Sequence, residues 1–359
     1  MARKTKLERF NEHVLSKFEI YNSLFLTLPF KSILKTSLLL PLFSEHCKSS
    51  YNKKKSPLFI VNSFFDKYCV ELTEKERLNL LFSFIQFIER QIVLFDAIED
   101  SAFSIVNNMH GRGTLRYIKE ETTGKGKLKE LITYLESFKI NLVLTAHPTQ
   151  FYPGSVLGII NDLSFFISEG NIDEIKKLLL QLGKTRFFKK KKPTPFDEAM
   201  SLIWYLENVF YTSSSRIYNY IEQNILDGKN LRNELFSFGF WPCGDRDGNP
   251  YVTPDVSIKT AKKLKYSIQR NYYRDLRKLK RKMTFDEVEE IIDDLESRMY
   301  NSLLNGTRQI SLKELKDKLN EVISSLNKKH NGIYVEEVLD LFNKVKIFGY
   351  HFASLDIRQ

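Results

Sequence analysis

Three short strand-like runs interrupt a sequence that is otherwise helical in period, and each run ends where polar, ionisable residues begin. The runs occupy residues 140–144, 236–241 and 348–357. Strands separated by long helical stretches favour a parallel α/β sheet or barrel. Because a (β/α)₈ barrel gathers its chemical groups at the C-terminal ends of its strands, the sequence predicts a helix-rich α/β fold with functional residues directly after the strands.

Three pairs of capping residues predict where long helices begin, because a Ser or Thr followed three residues later by Glu can satisfy the first free N–H groups of a helix. The pairs are Thr73 with Glu76, Thr284 with Glu287, and Ser311 with Glu314. The first pair precedes apolar residues spaced for one helix face: Leu78, Leu81, Phe82, Ile85, Ile88, Ile92 and Phe95. Similar spacing follows the other two pairs, so the chain is predicted to be rich in helix.

The net charge of +11 over 359 residues could indicate a nucleic-acid partner. The basic residues are spread along helices, however, and the densest run, 262–282, also carries leucine and isoleucine at helical spacing. That run is predicted to be an amphipathic helix with a solvated basic face. A nucleic-acid-binding protein would need basic residues on one face with aromatic residues between them. We therefore expect no nucleic-acid partner, and an enzyme of anionic substrates would also suit this charge.

Composition favours a soluble protein of a reducing compartment. Hydrophobic residues make up 42% and charged residues 28% of the chain, which is a globular profile. No run approaches the ~18 uninterrupted apolar residues of a spanning helix, and residues 1–18 lack the apolar core of a signal peptide. Three cysteines, Cys47, Cys69 and Cys243, show no metal-ligand spacing. We expect a cytoplasmic protein with no membrane partner.

One polar stretch is the best candidate for a surface loop between two regions. Residues 120–127 include Gly124 and Gly126, and glycine is typical of turns. The prediction is an N-terminal helical region, 1–130, followed by the region 131–359, which holds the strand-like runs and the polar residues after them.

His147 follows the first strand-like run within Leu-Thr-Ala-His-Pro-Thr, residues 144–149. Pro148 disfavours the helical region for the backbone of His147, and Thr145 and Thr149 place hydroxyl groups on either side. A neutral imidazole can accept a proton near pH 7, and a charged one can hold an oxyanion. A single histidine at a strand end is more often structural than catalytic, so the residue alone leaves both roles open.

The second run leads into Gly-Asp-Arg-Asp-Gly-Asn-Pro, residues 244–250. Its two glycines permit a tight turn and close approach of the backbone to a ligand. Arg246 lies between Asp245 and Asp247, and it could bind an anion or belong to a charge cluster that holds the loop in place. Asn249 completes the polar set.

The third run ends in Leu-Asp-Ile-Arg-Gln, residues 355–359. The guanidinium of Arg358 fits phosphate oxygens with two parallel hydrogen bonds and stays charged at any working pH. A lone arginine in such a place is usually a solvated surface residue, so its neighbours, Asp356 among them, decide how it is interpreted.

These three segments resemble the motifs of the phosphoenolpyruvate carboxylases almost letter for letter, and Pro-Thr-Pro-Phe-Asp-Glu-Ala at 193–199 is similar to a fourth family segment. The resemblance implies a partial (β/α)₈ barrel of that family's type with many surrounding helices. It implies that His147 is catalytic and assists the formation and breakdown of carboxyphosphate, and that Arg358 binds the phosphate of phosphoenolpyruvate. Arg246 is a further candidate for substrate binding. The residues expected to support the motifs are Thr145, Pro148, Thr149, Asp245, Asp247, Asn249 and Asp356.

The resemblance also implies the reaction, which is carboxylation of phosphoenolpyruvate by bicarbonate to give oxaloacetate and phosphate, a carbon-dioxide-fixing, anaplerotic lyase step. Family members are usually more than twice as long, and their C-terminal half brings the carboxylates that hold Mg²⁺. Mg²⁺ is therefore an expected cofactor with no ligand assigned in this chain. We expect a homo-oligomer when the enzyme is complete, and no carboxylase activity from these 359 residues alone.

Two alternatives stay open at this stage. A catalytically inactive fragment that acts only as a folded or regulatory module would share every motif. A basic nucleic-acid-binding protein is the other. One departure bears on the first: residues 150–155 read Gln-Phe-Tyr-Pro-Gly-Ser, where the commonest family members have Glu and then a basic pair. This difference indicates a divergent bacterial-type branch.

Overall fold

The computed structural model describes residues 4–28, 31–145, 152, 154–185, 187, 193–247, 249–305 and 310–358. Its helices and strands follow in chain order: α1 Lys6–Phe10, α2 Ser16–Thr27, α3 Lys31–Asn52, α4 Pro57–Tyr68, α5 Glu74–Val106, α6 Leu115–Gly124, α7 Leu128–Ser137, β1 Ile140–Leu144, α8 Gly154–Glu169, α9 Ile172–Lys184, α10 Pro195–Tyr205, α11 Tyr211–Tyr220, β2 Phe236–Phe240, α12 Pro254–Lys280, α13 Glu289–Asn305, α14 Leu312–Lys329, α15 Val335–Phe348 and β3 Ser354–Leu355. Among the described residues, π-helical turns join α1 to α2 at Asn11–Leu15 and α10 to α11 at Leu206–Phe210, and a third, Ile221–Ile225, extends the end of α11.

The chain divides into two compact units. Unit 1 comprises Met1–Arg112 and Gln150–Lys190, and unit 2 comprises Gly113–Thr149 and Lys191–Gln359. Their outline differs from the regions 1–130 and 131–359 drawn from the sequence, because α8 and α9 return to the first unit. The expected loop at 120–127 is also shorter, since α6 continues to Gly124. The assignment of functional domains stays a prediction.

The sheet of unit 2 contains β1, β2 and β3 in that order, all parallel. Ile140 pairs with Phe236 at the start of the sheet, and Leu144 pairs with Phe240 at its carboxyl edge. Parallel strands ending on one side are thus confirmed, as is the helix-rich α/β class. Among the described residues the strands form one open sheet and not a closed barrel, so the barrel stays a prediction.

The core of unit 2 surrounds this sheet with helices. Phe236, Phe238 and Phe240 are buried, and they belong to one cluster with the apolar faces of α12 and α14. The amphipathic interpretation of the basic run is confirmed, because Leu264, Ile268, Leu276 and Leu279 of α12 are buried while most of its lysines are exposed. Likewise Ser311 caps α14 by accepting from the N–H of Glu314, as predicted.

Unit 1 consists of helices packed through aliphatic and phenylalanine side chains. Helix α5 begins at the predicted capping box, in which Thr73 Oγ1 accepts from Glu76 N and Glu76 Oε2 accepts from Thr73 N. It shares one apolar cluster with α2, α8 and α9. It shares a second with α4, in which Phe64 and Phe84 are almost completely buried.

The long helix predicted after Thr73 is confirmed as α5, but the apolar face read from the spacing is not the face that packs. Most of that face is exposed, including Leu78, Phe82, Ile85 and Ile92. The buried side is another stripe: Leu80, Phe84, Phe87, Val93, Leu94, Ala97, Ile98, Ala102 and Val106. The helix is apolar on more than one side, so spacing alone could not decide which side packs.

Two other sequence predictions were wrong in their boundaries. Helix α13 begins at Glu289 and not after Thr284, because Glu287 has a left-handed backbone with φ 70° and its carboxylate binds Lys329. The third strand covers only Ser354–Leu355. Its predicted start, Phe348, is the last residue of α15 and packs on Phe238, so the alternation there reflects an aromatic cluster.

Among the described helices, α5 is long and apolar enough to cross a membrane by length and composition. The sequence contains no uninterrupted apolar run of that length, since Glu89 and Arg90 fall inside it. One such helix is weak evidence, because the core helix of a globular protein satisfies the same criterion. The apolar window of α5 is only 22% buried, although Leu94, Ala97 and Ile98 are fully buried within unit 1.

Candidate functional site

The carboxyl ends of β1, β2 and β3 lie at one edge of the sheet, and the described residues that follow β2 and β3 come together there. Trp241 N donates to Leu144 O at 3.0 Å, and Asp356 N donates to Phe240 O at 3.0 Å. These bonds extend the sheet pairing to the first residue after β2 and the first residue after β3. In open α/β sheets, ligands bind in the crevice outside this edge.

Gly244 lies in close contact with Leu355 and Asp356, at the end of β3. A Cβ atom built on it would lie 2.2 Å from Asp356 O, closer than real Cβ atoms approach an oxygen. The preceding residue, Cys243, has a left-handed backbone with φ 64°, and its carbonyl accepts from Ser257 Oγ at 2.5 Å. The predicted close approach at Gly244 is thus to the chain's own backbone, while Gly248 lies outside the described residues.

Arg246 and Arg358 are neighbours through their backbones. Arg246 N donates to Arg358 O at 3.2 Å, and Arg358 N donates to Gly244 O at 3.2 Å. Asp245 and Arg358 accordingly form a parallel bridge. Two motifs that are far apart in sequence therefore form one strip of backbone that carries two guanidinium groups.

The guanidinium of Arg358 is held between a carboxylate and a ring. Its Nη2 and Nε donate to Asp356 Oδ2 at 3.0 and 3.2 Å, and its Cζ lies 4.6 Å from the centroid of the Trp241 ring. The side chain is still 52% exposed. These contacts use two of the five N–H donors of a guanidinium, so an anion can reach the others from solvent.

Arg246 is half-buried, and its Nε has no hydrogen-bond partner among the described residues. A buried donor without a partner is unfavourable, and an anion would relieve that cost. Arg246 forms no ion pair with Asp245 or Asp247 in the described part of the chain. The alternative, that it holds the loop in place through these carboxylates, is therefore not supported. The geometry therefore favours an anion-binding role for Arg246.

Asp245 and Asn249 shape the loop itself. Asp245 Oδ1 accepts from Asp247 N at 3.0 Å, and Asn249 Oδ1 accepts from Tyr251 N at 3.1 Å. Both are turns in which a side chain bonds the backbone two residues on. Asp247 is exposed. Two of the polar residues of this motif thus hold the loop that carries Arg246.

The histidine motif can be followed only to its first residues. Thr145 is exposed directly after β1, while His147, Pro148 and Thr149 lie outside the described residues. The roles predicted for these three residues stay predictions. The fourth segment forms the start of α10, where Thr194 and Asp197 form a capping box and Pro195 lies in the first turn.

Sequence reasoning missed two residues of this region. Trp241 supplies the ring beneath Arg358, and its position immediately before the motif was the available signal. Ser257 holds the Cys243 carbonyl, for which no local signal exists because it lies on the next helix. Cys243 itself is buried, and burial raises the pKa of its thiol, which disfavours the reactive thiolate.

No group of three or more His, Cys, Asp or Glu residues that could hold a metal ion occurs in the part of the chain that the structure describes. The described carboxylates of the loop are accounted for by other contacts or by exposure. Asp356 pairs with Arg358, and Asp245 bonds the backbone. These residues do not form a Mg²⁺ site by themselves.

The sequence of this chain is similar to that of one family of known proteins. The family model for phosphoenolpyruvate carboxylase matches residues 78–311 of this chain, which is more than half of its length. The matched range includes the histidine motif and the loop with Gly244 and Arg246. It ends before Arg358.

Individual relatives give the same result at low identity. The phosphoenolpyruvate carboxylase of Shewanella loihica is 23% identical over 281 residues, covering 64% of this chain and 31% of the relative. That of Vibrio vulnificus is 25% identical over 270 residues, covering 63% and 31%. That of Azoarcus sp. is 29% identical over 163 residues, covering 41% and 18%. The chain thus spans about a third of the length of the curated relatives it matches.

Proposed function

This chain belongs to the phosphoenolpyruvate carboxylase family, and we propose that it provides the N-terminal part of an enzyme that carboxylates phosphoenolpyruvate with bicarbonate. The single observation that supports a role in substrate binding is the strip formed by Gly244, Arg246 and Arg358 at the carboxyl edge of the sheet. It presents two guanidinium groups where a phosphorylated substrate would bind.

In this proposal Arg358 binds the phosphate of phosphoenolpyruvate. A guanidinium presents paired N–H groups that match two phosphate oxygens. Trp241 and Asp356 fix the plane of that fork before the ligand arrives, which lowers the entropy cost of binding. Arg246 supplies a second cation. Its Nε is buried without a hydrogen-bond partner among the described residues, so a phosphate oxygen that accepted from it would gain a hydrogen bond without breaking another.

His147 would act in the transfer step. The phosphoryl group moves from phosphoenolpyruvate to bicarbonate, which leaves the enolate of pyruvate and carboxyphosphate. Carboxyphosphate then breaks to CO₂ and phosphate, and the enolate carbon attacks CO₂ to form oxaloacetate. We propose that the imidazole of His147 takes up or returns the proton of the bicarbonate-derived hydroxyl during this sequence, a role that suits a group titrating near neutral pH.

The rest of the assembly is proposed on family grounds alone. When bound, Mg²⁺ would neutralise charge on the enolate and the phosphate, and its ligands would come from the region that the relatives have and this chain does not match. A closed (β/α)₈ barrel, a homo-oligomer and a cytoplasmic location belong to the same proposal. The 359-residue chain by itself is then expected to lack carboxylase activity.

The test uses the chain joined to the C-terminal region of a full-length relative, with oxaloacetate measured by a coupled assay containing Mg²⁺, phosphoenolpyruvate and bicarbonate. Replacement of Arg358 by Lys should raise the KM for phosphoenolpyruvate more than the KM for bicarbonate, because lysine keeps the charge but loses the fork. His147→Asn should lower kcat by ~10²–10⁴-fold. The exposed residue Arg232 provides a matched control as Arg232→Lys.

Equal changes in both KM values would remove the phosphate role of Arg358. Carboxylation by His147→Asn within a factor of two of the unmodified protein would remove the catalytic role of His147. If the joined protein folds but never forms oxaloacetate, the inactive-module alternative is favoured. Robust turnover by the unjoined chain would mean that the metal and phosphate ligands lie elsewhere in it.

A further inference from the structure

A row of arginines on unit 2 is separate from the residues used above. Arg270, Arg274 and Arg277 on α12 and Arg281 at its C-terminal cap are four, three and four residues apart. Since four residues of helix rise about 6 Å and return nearly to the same angle, the four side chains form one stripe along the helix. We call it the arginine row.

Most of the arginine row has no carboxylate partner. Arg270 binds Glu207 through Nη2 at 2.7 Å, yet its Nε is buried without a partner among the described residues. Arg274, Arg277 and Arg281 are exposed and form no ion pair in the described part of the chain. The nearby acids of α13 are engaged elsewhere, since Asp293 and Glu296 bind Lys280. Like charges at this spacing destabilise a helix, which a bound anion would offset.

The arginine row forms one wall of a cavity between α12 and α13. The cavity volume is about 730 Å³, within the roughly 300–1,000 Å³ of small-molecule sites. Lys278, which pairs with Asp275, also lines it, and the remaining lining is aromatic and aliphatic: Tyr266, Tyr273, Tyr300, Leu303 and Leu304. The rings of Tyr273 and Tyr300 are 5.6 Å apart at 37°, and Tyr300 is 46% exposed. One side of the cavity thus suits negative charge and the other suits a flat, weakly polar ring.

We propose that this cavity binds a nucleoside polyphosphate. Guanidinium groups spaced along the wall would hold successive phosphates, and the base would stack on the exposed face of Tyr300, as bases stack on aromatic side chains. A single-stranded nucleic acid has the same chemistry. However, the cavity volume of about 730 Å³ is that of a small-molecule site, which favours a single nucleotide over a strand of several bases.

The experiment measures binding of ATP to the purified 359-residue chain by calorimetry in a chelating buffer at two salt concentrations. We expect saturable binding that is weaker at high salt, with inorganic triphosphate and adenosine each binding more weakly than ATP. The double variant Arg274→Gln, Arg277→Gln should lose affinity on the order of tenfold or more, because hydrogen bonds to charged groups are removed. Tyr300→Leu should weaken ATP but not inorganic triphosphate.

The matched control is Lys229→Gln, Arg232→Gln, which removes the same charge from two exposed positions of unit 2 and should bind ATP unchanged. Circular dichroism confirms that each variant is folded, and Arg274→Lys, Arg277→Lys should retain part of the affinity. Absence of saturable ATP binding, or equal loss in the control, would overturn the proposal. So would binding of an oligothymidylate strand without binding of ATP.

Discussion

Unit 1 and unit 2 are stabilised by different kinds of interior. Of the twelve buried polar or charged side chains in the described residues, only Thr36 and Ser50 belong to unit 1. The interior of unit 1 is otherwise built from apolar side chains such as Phe64, Phe84 and Leu94. Unit 2 buries Glu222, Lys344 and several amides and hydroxyls beneath the helices that surround its sheet.

The polar interior of unit 2 centres on Lys344. Its ammonium binds Asp275 Oδ2 at 2.8 Å and Asp340 Oδ2 at 2.7 Å, and Tyr211 donates to Asp275 at 2.9 Å. Nearby, Asn343 donates to Glu222 Oε2 at 2.9 Å. Apolar packing tolerates exchange of similar shapes, whereas a buried hydrogen-bonded network permits few arrangements. We infer that unit 2, which carries the candidate site, is the more narrowly specified of the two.

The largest effect expected in unit 2 comes from Lys344→Met. The side chain is only 6% exposed. Its removal takes the ammonium away from Asp340 and leaves Asp275 with only the exposed Lys278 as a cation. Breaking one partner of a buried ion pair typically costs about 3–5 kcal/mol. Both tryptophans, Trp204 and Trp241, lie in unit 2, so urea unfolding followed by tryptophan fluorescence measures this loss.

The control is Lys318→Met, which removes an exposed pair with Glu321 and should cost about 1 kcal/mol or less. A loss for Lys344→Met no larger than this would show that the network contributes little, and would end the contrast between the units.

The same network should respond to pH. Burial raises the pKa of Asp275, but the ammonium of Lys344 and its hydrogen bond lower it more, so the net pKa lies below the usual range. A depressed carboxyl pKa stabilises the fold above the ordinary value of about 3.9 and ceases to do so as the pH falls through the folded value. We expect the stability gap between the unmodified protein and Asp275→Asn to be constant from pH 7 to 5 and to shrink below pH 4. A gap that widened in acid would contradict this assignment.

A backbone contact of unit 2 gives the next effect. In Gly244→Ala the new methyl group would meet Asp356 O, so the loop and β3 must separate. Overpacking of this kind typically costs about 1–3 kcal/mol, and the fluorescence of Trp241 should shift to the red as its contact with Arg358 opens. Gly124→Ala, on a glycine with open space around it, is the matched control and should leave the emission unchanged.

Unit 1 should show a smaller effect at its long helix. Thr73→Ala removes the N-terminal cap of α5, which typically costs about 1 kcal/mol. Because unit 1 lacks tryptophan, the loss should appear in unfolding followed by far-ultraviolet circular dichroism and leave the fluorescence transition of unit 2 in place. Coincident shifts in both signals would show that the units unfold together.

The smallest effect is expected at Leu78. The side chain is 65% exposed on α5, so Leu78→Gln should change the free energy of unfolding by less than about 0.5 kcal/mol. Phe84→Ala, on the buried face of the same helix, should cost about 3–5 kcal/mol. A large loss at Leu78 would show that the face carrying Leu78 is packed after all, and would contradict its exposure.

The features that could be predicted from the sequence are those that depend on residues close together in the chain. Capping at Thr73 and Ser311 involves atoms three residues apart, and the strand ends near Leu144 and Trp241 were visible as changes of period. It did not predict which face of α5 packs, because several faces are apolar and only partners far along the chain decide. For the same reason the ring beneath Arg358 and the bond from Ser257 to Cys243 could not be predicted.

The parallel sheet has a consequence for how the protein folds. Its strands are far apart in the chain, since Asn141 and Ser237 are separated by 96 residues. The contact between Gly244 and Arg358 likewise closes a loop of about a hundred residues. Helices such as α12 and α14 can form from local contacts, whereas such distant pairing must first overcome the entropy of closing long loops. During synthesis Arg358 can meet Arg246 only after the helices α12 to α15 that lie between them in the chain have been made, so this pairing follows the local folding of those helices.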